Sequence, residues 1–462
     1  MDTYFFGLFT EKEFVKELTL LSIGSIPSVL YWLIKRLKIK NKEDKCPTIR
    51  YKNDNFARET IKYRLKNIVM NLEKKYEEMP DYSRFTNSVF SLEFLNNGVF
   101  SRFHNDLFKE WKKSLEQYNG GKISTFFINA PFIDVEHYFY YYILDKVNSQ
   151  QTINEGNFID PFLDAKIASI KNDYCNESIK HKSKIKELLD LGIQIKECIG
   201  DQRQKDNIIE LLKLNLSANS TDLSQLFWEQ FSSVTSIIDD GEVFWEEFVS
   251  DLHNVNRINV LVDNFGIEFL ADIIMGYYFI LKKGRDSSIE IVYHVNELPV
   301  FVSDVKRGDD QVLFKVLTEL IKDNAQYKYL LEDINHFIQN GKIKFKSDFF
   351  WNMPSRYDTI TQSKYKKSGY LSEVKSIFTG NDLLIIKGDL NYRRMVGDKN
   401  YNPQKKIEKF IKYISCPVLI IRSFKSNVTL LGKSYNNVVE NKNIEQDWQS
   451  NGKYGVIQYI NK

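Results

Sequence analysis

"INVLVDNFGIEFLADIIMGYYFILKK", Ile258 to Lys283, joins a short β-branched run to a long apolar run through Asp-Asn-Phe-Gly. The first part, Ile258–Asp263, has the length and composition of a buried strand, and the part from Gly266 has the length of a helix. A strand this apolar has no polar face to give to water, so helices must cover both of its faces. The same alternation recurs downstream. Apolar runs stand at "IEIVYHV" (Ile289–Val295), "KIKFKS" (Lys342–Ser347), "DLLIIKGD" (Asp382–Asp389) and "PVLIIRS" (Pro417–Ser423), with helical stretches such as "DQVLFKVLTELIKDN" between them. The expected fold class is α/β: a Rossmann-like α/β/α domain with a largely parallel sheet over residues 251–462. No glycine-rich fingerprint follows the first strand, so a nicotinamide cofactor is not expected.

Upstream the texture is helical. In "FARETIKYRLKNIVMNLEKKYEE", Phe56, Ile61, Leu65, Ile68, Val69 and Leu72 fall near one face of a helix. The aromatic run "EHYFYYYILDKV", Glu136–Val147, reads as helical core rather than a platform for stacked bases. Residues 51–250 are therefore expected as a helical domain, and residues 1–50 as an extension with no assigned role. The uncharged stretch Leu18–Ile34 falls short of the roughly 20 apolar residues of a spanning helix. It also lacks the preceding basic residues of a signal peptide, so a membrane partner is not expected and a cytoplasmic location is.

Composition narrows the function. At 462 residues and 43% hydrophobic, the chain can bury more than one ordinary core. A net charge of +3, with acids and bases interleaved, argues against a nucleic-acid partner. Cys46, Cys175, Cys198 and Cys416 lack the short spacings of a zinc site and read as reduced thiols.

In open α/β sheets ligands gather beyond the carboxyl ends of the strands. Polar clusters stand there: Asp263 and Asn264; Ser303 and Asp304; Lys387, Gly388 and Asp389; Arg422, Ser423 and Lys425. Asp263, Asn264 and Asp304 are hard oxygen ligands suited to a divalent ion such as Mg²⁺ or Mn²⁺. An ion held by so few groups has open positions for a phosphoryl oxygen and a water, while Lys425, with Arg422 nearby, offsets phosphoryl charge. The chemistry that suits this set is metal-assisted hydrolysis of a phosphate ester. Taken one at a time, Asp-Asn-x-Gly is also turn chemistry, and Ser303-Asp304, Asp389 and Glu268 also suit helix N-termini.

These residues also carry a resemblance. "VDNFGIE", "LPVFVSDV", "DFFWNMP", "LLIIKGDLNYRRMVGD", "PVLIIRSFKSNV" and "GKYGVIQY" resemble the successive motifs of the damage-control phosphatase family, or domain of unknown function 89. The branch is the acidic residue methyltransferase 1-like group of sugar-phosphate phosphatases, marked by Arg-Thr-x-Lys. "FARETIKYRL", "IDPFLDAKIASI" and "LNLSANSTDLS" extend the similarity upstream, so that it runs from about Phe56 to Tyr459. The resemblance implies a helical N-terminal domain on a Rossmannoid domain, dependence on Mn²⁺, Co²⁺, Ni²⁺ or Mg²⁺, and small phosphorylated metabolites as partners, fructose 1-phosphate and fructose 6-phosphate among them. It gives Asp263, Asn264 and Asp304 to the metal and Glu268, Asp389, Leu390, Asn391, Tyr392, Arg393 and Lys425 to substrate; Arg422 joins them from its place beside Lys425. Glu268 and Asp389 are the candidates for a general base. Two departures stand out: Ser423 replaces the signature threonine, and Asn296 stands where relatives usually carry a lysine. The alternatives are S-adenosylmethionine-dependent methylation of protein carboxyl groups and a non-catalytic scaffold. The first lacks its glycine-rich turn, and the complete polar set disfavours the second.

Overall fold

Seven strands form one sheet in the order β1-β7-β6-β5-β2-β3-β4. They are β1 (Thr235–Asp239), β2 (Arg257–Leu261), β3 (Glu290–Asn296), β4 (Ile343–Asp348), β5 (Leu383–Lys387), β6 (Val418–Ser423) and β7 (Tyr454–Ile460). Neighbours pair in parallel except β7 with β6. The chain leaves β2 for β3 and β4 on one side, then returns to β5 on the other. That reversal opens a crevice at the carboxyl end of β2. The computed structural model describes residues 46–462 apart from 77–78, 104, 150–157, 176–182, 220–233, 363–368, 381 and 442. The Leu18–Ile34 stretch and the Ser220–Ser224 part of "LNLSANSTDLS" lie outside these residues.

Five strands match the apolar runs of the sequence. The other two do not: β1 lies in the region whose pattern is helical, and β7 lies in a stretch quoted only as a motif. Thr48–Lys462 is one compact unit. Its helices include α1 (Asn55–Glu59), which runs through a π-helical turn, Thr60–Arg64, into α2 (Leu65–Leu72). The Asp54 side chain caps α1 by accepting from Ala57 N at 2.9 Å. Then come α3 (Phe132–Asn148), α4 (Leu163–Cys175), α5 (Lys184–Cys198), α6 (Arg203–Asn219), α7 (Ile267–Lys283) and α8 (Asp309–Leu320). They are followed by α9 (Ala325–Gln339), α10 (Gly369–Thr379) and α11 (Gly388–Val396).

Helix α7 is buried from Glu268 to Leu281, because the sheet covers one side and α5 and α6 the other. Leu188 of α5, Leu212 of α6, Phe269 of α7 and Ile258, Ile385 and Leu419 of the sheet belong to one core. Each such side chain contributes about 1.5–3 kcal/mol when removed from water. The helix lies close on β3 because Gly276 has no side chain: a Cβ there would stand 2.1 Å from the Tyr293 hydroxyl. That hydroxyl donates to Asp272 O at 2.7 Å. The aromatic helix α3 is core, as its pattern implies, with Tyr138, Phe139, Tyr140 and Tyr141 all buried. None of Cys46, Cys175, Cys198 and Cys416 is in a disulfide among the described residues. Among the described residues no helix is long and apolar enough to cross a membrane.

Candidate active site

Two strand-end loops are zipped together over the crevice. Phe265 N donates to Ser303 O (2.7 Å), and Val305 N donates to Asp263 O (2.9 Å). Asn264 and Asp304 pair between them as an antiparallel bridge. Backbone bonding thus fixes residues forty positions apart as neighbours, and Asp263, Asn264 and Asp304 line one cavity.

The third wall is the turn from β5 into α11. Gly388 has φ +78°, and a Cβ on it would stand 1.9 Å from Asp263 Oδ2. Only glycine lets the backbone pass so near the carboxylate. Asp389 follows, with Oδ1 accepting from Arg422 Nε (3.0 Å) and Nη2 (2.7 Å), Ser426 Oγ (3.0 Å) and Lys425 N (3.3 Å). Arg422 is fully buried, lies over the Tyr392 ring at 4.1 Å and donates to Val428 O at 2.6 Å. It therefore shapes the loop that carries Lys425 into the cavity.

Behind the wall lies a fully hydrogen-bonded acid. Glu268 accepts from Lys387 Nζ (2.7 Å), from Asn264 Nδ2 (2.8 Å) and from Asn219 Nδ2 (3.0 Å). Asn264 Nδ2 also donates to Asp263 Oδ2 at 2.7 Å, so both amide hydrogens are directed at acids. This orients Asn264 Oδ1, which accepts from Ser303 Oγ at 2.6 Å. Asn219, the last residue of α6, donates to Asp263 Oδ2 (2.9 Å) and accepts from Ser423 N (2.8 Å) and Oγ (2.9 Å). The signature hydroxyl of Ser423 is thus used inside the protein. Buried Lys387 also pairs with Asp272 at 2.8 Å. Burial lifts the Asp272 carboxyl to about 6, against the opposing pull of Lys387 and with a further push from Glu268.

The helical layer closes the cavity with Phe56, Arg64 and Glu136. Asn427 Nδ2 donates to the capping Asp54 at 2.8 Å and ties α1 to the Lys425 loop. Glu136 Oε2 accepts from Arg393 Nη1 at 2.8 Å, and Arg393 Nε donates to Asp398 at 2.8 Å. Phe301, in the loop before Asp304, has φ 68°, the one positive φ outside glycine among the described residues. Its ring packs against Tyr140 (4.6 Å) and His137 (5.1 Å) of α3.

Of the residues singled out in the sequence, Asp263, Asn264, Asp304, Asp389, Leu390, Arg393 and Lys425 line the cavity. Glu268, Asn391, Tyr392 and Arg422 stand outside that lining and brace it. Asn391 Nδ2 donates to Val262 O and Lys387 O, both at 3.0 Å, and its Oδ1 accepts from Tyr357 at 2.5 Å. The Tyr392 hydroxyl accepts from Leu430 N at 3.1 Å. The sequence reading missed Phe56, Arg64, Glu136 and Asn219. The acid that opens the aromatic run of α3 was the available signal for Glu136.

The donor set fits a hard divalent ion: two carboxylates and an oriented amide oxygen, with no histidine or cysteine in the lining. Among the described residues no group of three or more His, Cys, Asp and Glu side chains stands ready to hold a metal, consistent with a set of only two acids and an amide. The cavity encloses about 50 Å³. A groove of about 690 Å³ lies at the edge strand β4, among Lys306, Arg307, Gln311 and Phe345, and these acids are not in its lining.

The chain is similar to known proteins of one family. The chain is 24% identical to damage-control phosphatase ARMT1 of Danio rerio over 363 residues, 74% of this chain and 75% of that one. It is 24% identical to damage-control phosphatase ARMT1 of Homo sapiens over 373 residues, 76% and 78% of the two chains. A solved DUF89 family protein from Pyrococcus horikoshii aligns with a TM-score of 0.35 and 13% identity, over 79% of this chain and 91% of that one. A family model described as the damage-control phosphatase ARMT1-like domain matches residues 30–432, and the chain belongs to that family.

Proposed function

We propose that this protein is a divalent-metal-dependent phosphatase of small phosphorylated metabolites, chiefly sugar phosphates such as fructose 1-phosphate and fructose 6-phosphate. The observation that carries the reading is the convergence of Asp263, Asn264, Asp304, Asp389 and Lys425 on one cavity at the strand ends. Asp263, Asn264 and Asp304 would hold the ion. When bound, an ion there polarises a phosphoryl oxygen and supplies activated water.

The chain's own groups do the rest. Lys425 brings an ammonium to the phosphoryl oxygens and offsets the charge that builds on them during transfer. Asp389, a lining carboxylate with Oδ1 anchored by Arg422 and Ser426, is the group we assign to take the water's proton. Glu268, enclosed by Lys387, Asn219 and Asn264, orients the Asn264 amide instead of moving a proton. Net charge supports the assignment. Four lining carboxylates (Glu136, Asp263, Asp304, Asp389) face three cations (Arg64, Arg393, Lys425), leaving one net negative charge that a divalent ion reverses. A phosphate dianion is then attracted rather than repelled.

The test is phosphate release by metal-stripped protein across a panel of sugar phosphates, with Mn²⁺, Co²⁺, Ni²⁺ or Mg²⁺ restored singly. Metal-restored turnover is expected, lower by about a hundredfold or more in Asp304→Ala. A folded, metal-loaded protein that releases no phosphate from any substrate would refute the reading and turn attention to carboxyl methylation.

A further inference from the structure

Glu136 is a buried acid on a helix whose other buried residues are mostly aromatic and apolar. It is 4% exposed, and its partner Arg393 is 2% exposed. The Arg393 guanidinium lies over the rings of Phe132 (5.2 Å) and Phe56 (6.0 Å) and is shared with Asp398. Burial lifts the Glu136 carboxyl above its ordinary value, against the pull of Arg393 and Arg64. Well-packed apolar residues of the same volume often serve stability as well as such a pair or better. Glu136 and Arg393 do more than fill a core, because both line the cavity.

The chemistry of a carboxylate limits what it can read. Ionised, it only accepts hydrogen bonds, and it repels a phosphate dianion. It is therefore unsuited to the phosphoryl end, which Lys425 and the Asp263 group serve. We propose that Glu136, held by Arg393, is a specificity-determining residue that reads the hydroxyl groups of the organic part of the substrate. The class it favours is a singly phosphorylated polyol or sugar. A second phosphate or a carboxylate near Glu136 is disfavoured by like charge, and an alkyl chain offers its oxygens no hydrogen bond. A site built to bond a hydroxyl discriminates far more strongly than an apolar pocket does. The inference rests on the phosphatase reading.

The experiment compares kcat/KM for a sugar phosphate and for p-nitrophenyl phosphate, in the wild-type protein and in Glu136→Gln and Glu136→Asp. The ratio of the two substrates is expected to fall about tenfold or more in Glu136→Gln, mainly through KM for the sugar phosphate, with partial recovery in Glu136→Asp. A ratio within about twofold of wild type overturns the proposal. Thermal unfolding of each variant is measured beside the kinetics. If Glu136→Gln does not fold, wild-type protein decides: sugar monophosphates must outrank both butyl phosphate and sugar bisphosphates, and the opposite order overturns the proposal. If no substrate is turned over, the phosphatase reading has failed separately. Calorimetric binding of the sugar monophosphate then judges Glu136, with affinity about tenfold weaker in Glu136→Gln supporting its role and equal affinity refuting it.

Discussion

Asp263 is the residue on which the site's contacts converge. Asn219 and Asn264 donate to its Oδ2, and the Gly388 backbone passes against it. Gly388→Ala therefore has two costs: a left-handed conformation for a residue with a Cβ, and a clash with the carboxylate. The expected loss is roughly 2–4 kcal/mol of stability together with metal-dependent activity. Urea unfolding of the variant checks this, and an unchanged midpoint would show that the turn relaxes without disturbing Asp263. Asn296 illustrates what residue identity alone conveys. Where a lysine was expected from the resemblance, the asparagine donates to Asp304 Oδ2 at 3.0 Å, so a neutral amide braces the acid. Residue types at strand ends were legible because apolar runs delimit the strands. The directions of Asn391, Tyr392 and Arg422 were not, because a motif names neighbours along the chain and packing decides which of them meet the cavity.

Among the elements, the loop carrying Asp304 is braced from the helical layer. Lys166 of α4 is fully buried and donates to Asp304 O (2.8 Å), Asp160 Oδ2 (3.0 Å) and Asp309 Oδ2 (3.1 Å). It joins the Asp-Pro-Phe segment, the Asp304 loop and the start of α8 at one point. Replacing it by the near-isosteric methionine leaves Asp160 and the Asp304 carbonyl without their cation and Asp309 with Lys306 in place of two cations, at an expected cost of about 3–5 kcal/mol. The variant should unfold at distinctly lower urea concentration; equal stability would mean that water or a shifted side chain replaces the clamp. Phe301 braces the same loop by a different means, a strained backbone held by packing against His137 and Tyr140. The strands β2 to β6 were readable as apolar runs. Strand β1 holds just two buried apolar residues, Ile237 and Ile238, too few for an apolar run to show.

At the scale of the whole molecule, helices and sheet share one core, and its buried histidines couple folding to pH. His294 sits in β3 with Nε2 donating to Asn259 Oδ1 at 2.7 Å, and burial holds its pKa down to about 3. An unfolded histidine titrates near 6.5. The stability that neutral His294 contributes is therefore present above about pH 6.5 and is lost as pH falls towards the folded value. At pH 5 the loss is about 2 kcal/mol, so the decrease in unfolding free energy between pH 7.5 and 5 should shrink by about that amount in His294→Gln. Identical pH dependence in the two proteins would contradict this. The fold and the strand-end acids were legible because they depend on periodicity and on position along a strand. The cavity's other wall was not, because Phe56, Arg64 and Glu136 reach Asp263 only through tertiary packing across more than a hundred residues.

The central claim is that Asp263, Asn264 and Asp304 form a divalent-cation site. Crystals soaked with Mn²⁺ and examined by anomalous diffraction test it most directly. The account predicts a single strong peak coordinated by the oxygens of these three residues. A peak elsewhere, or none in this cavity, would contradict it.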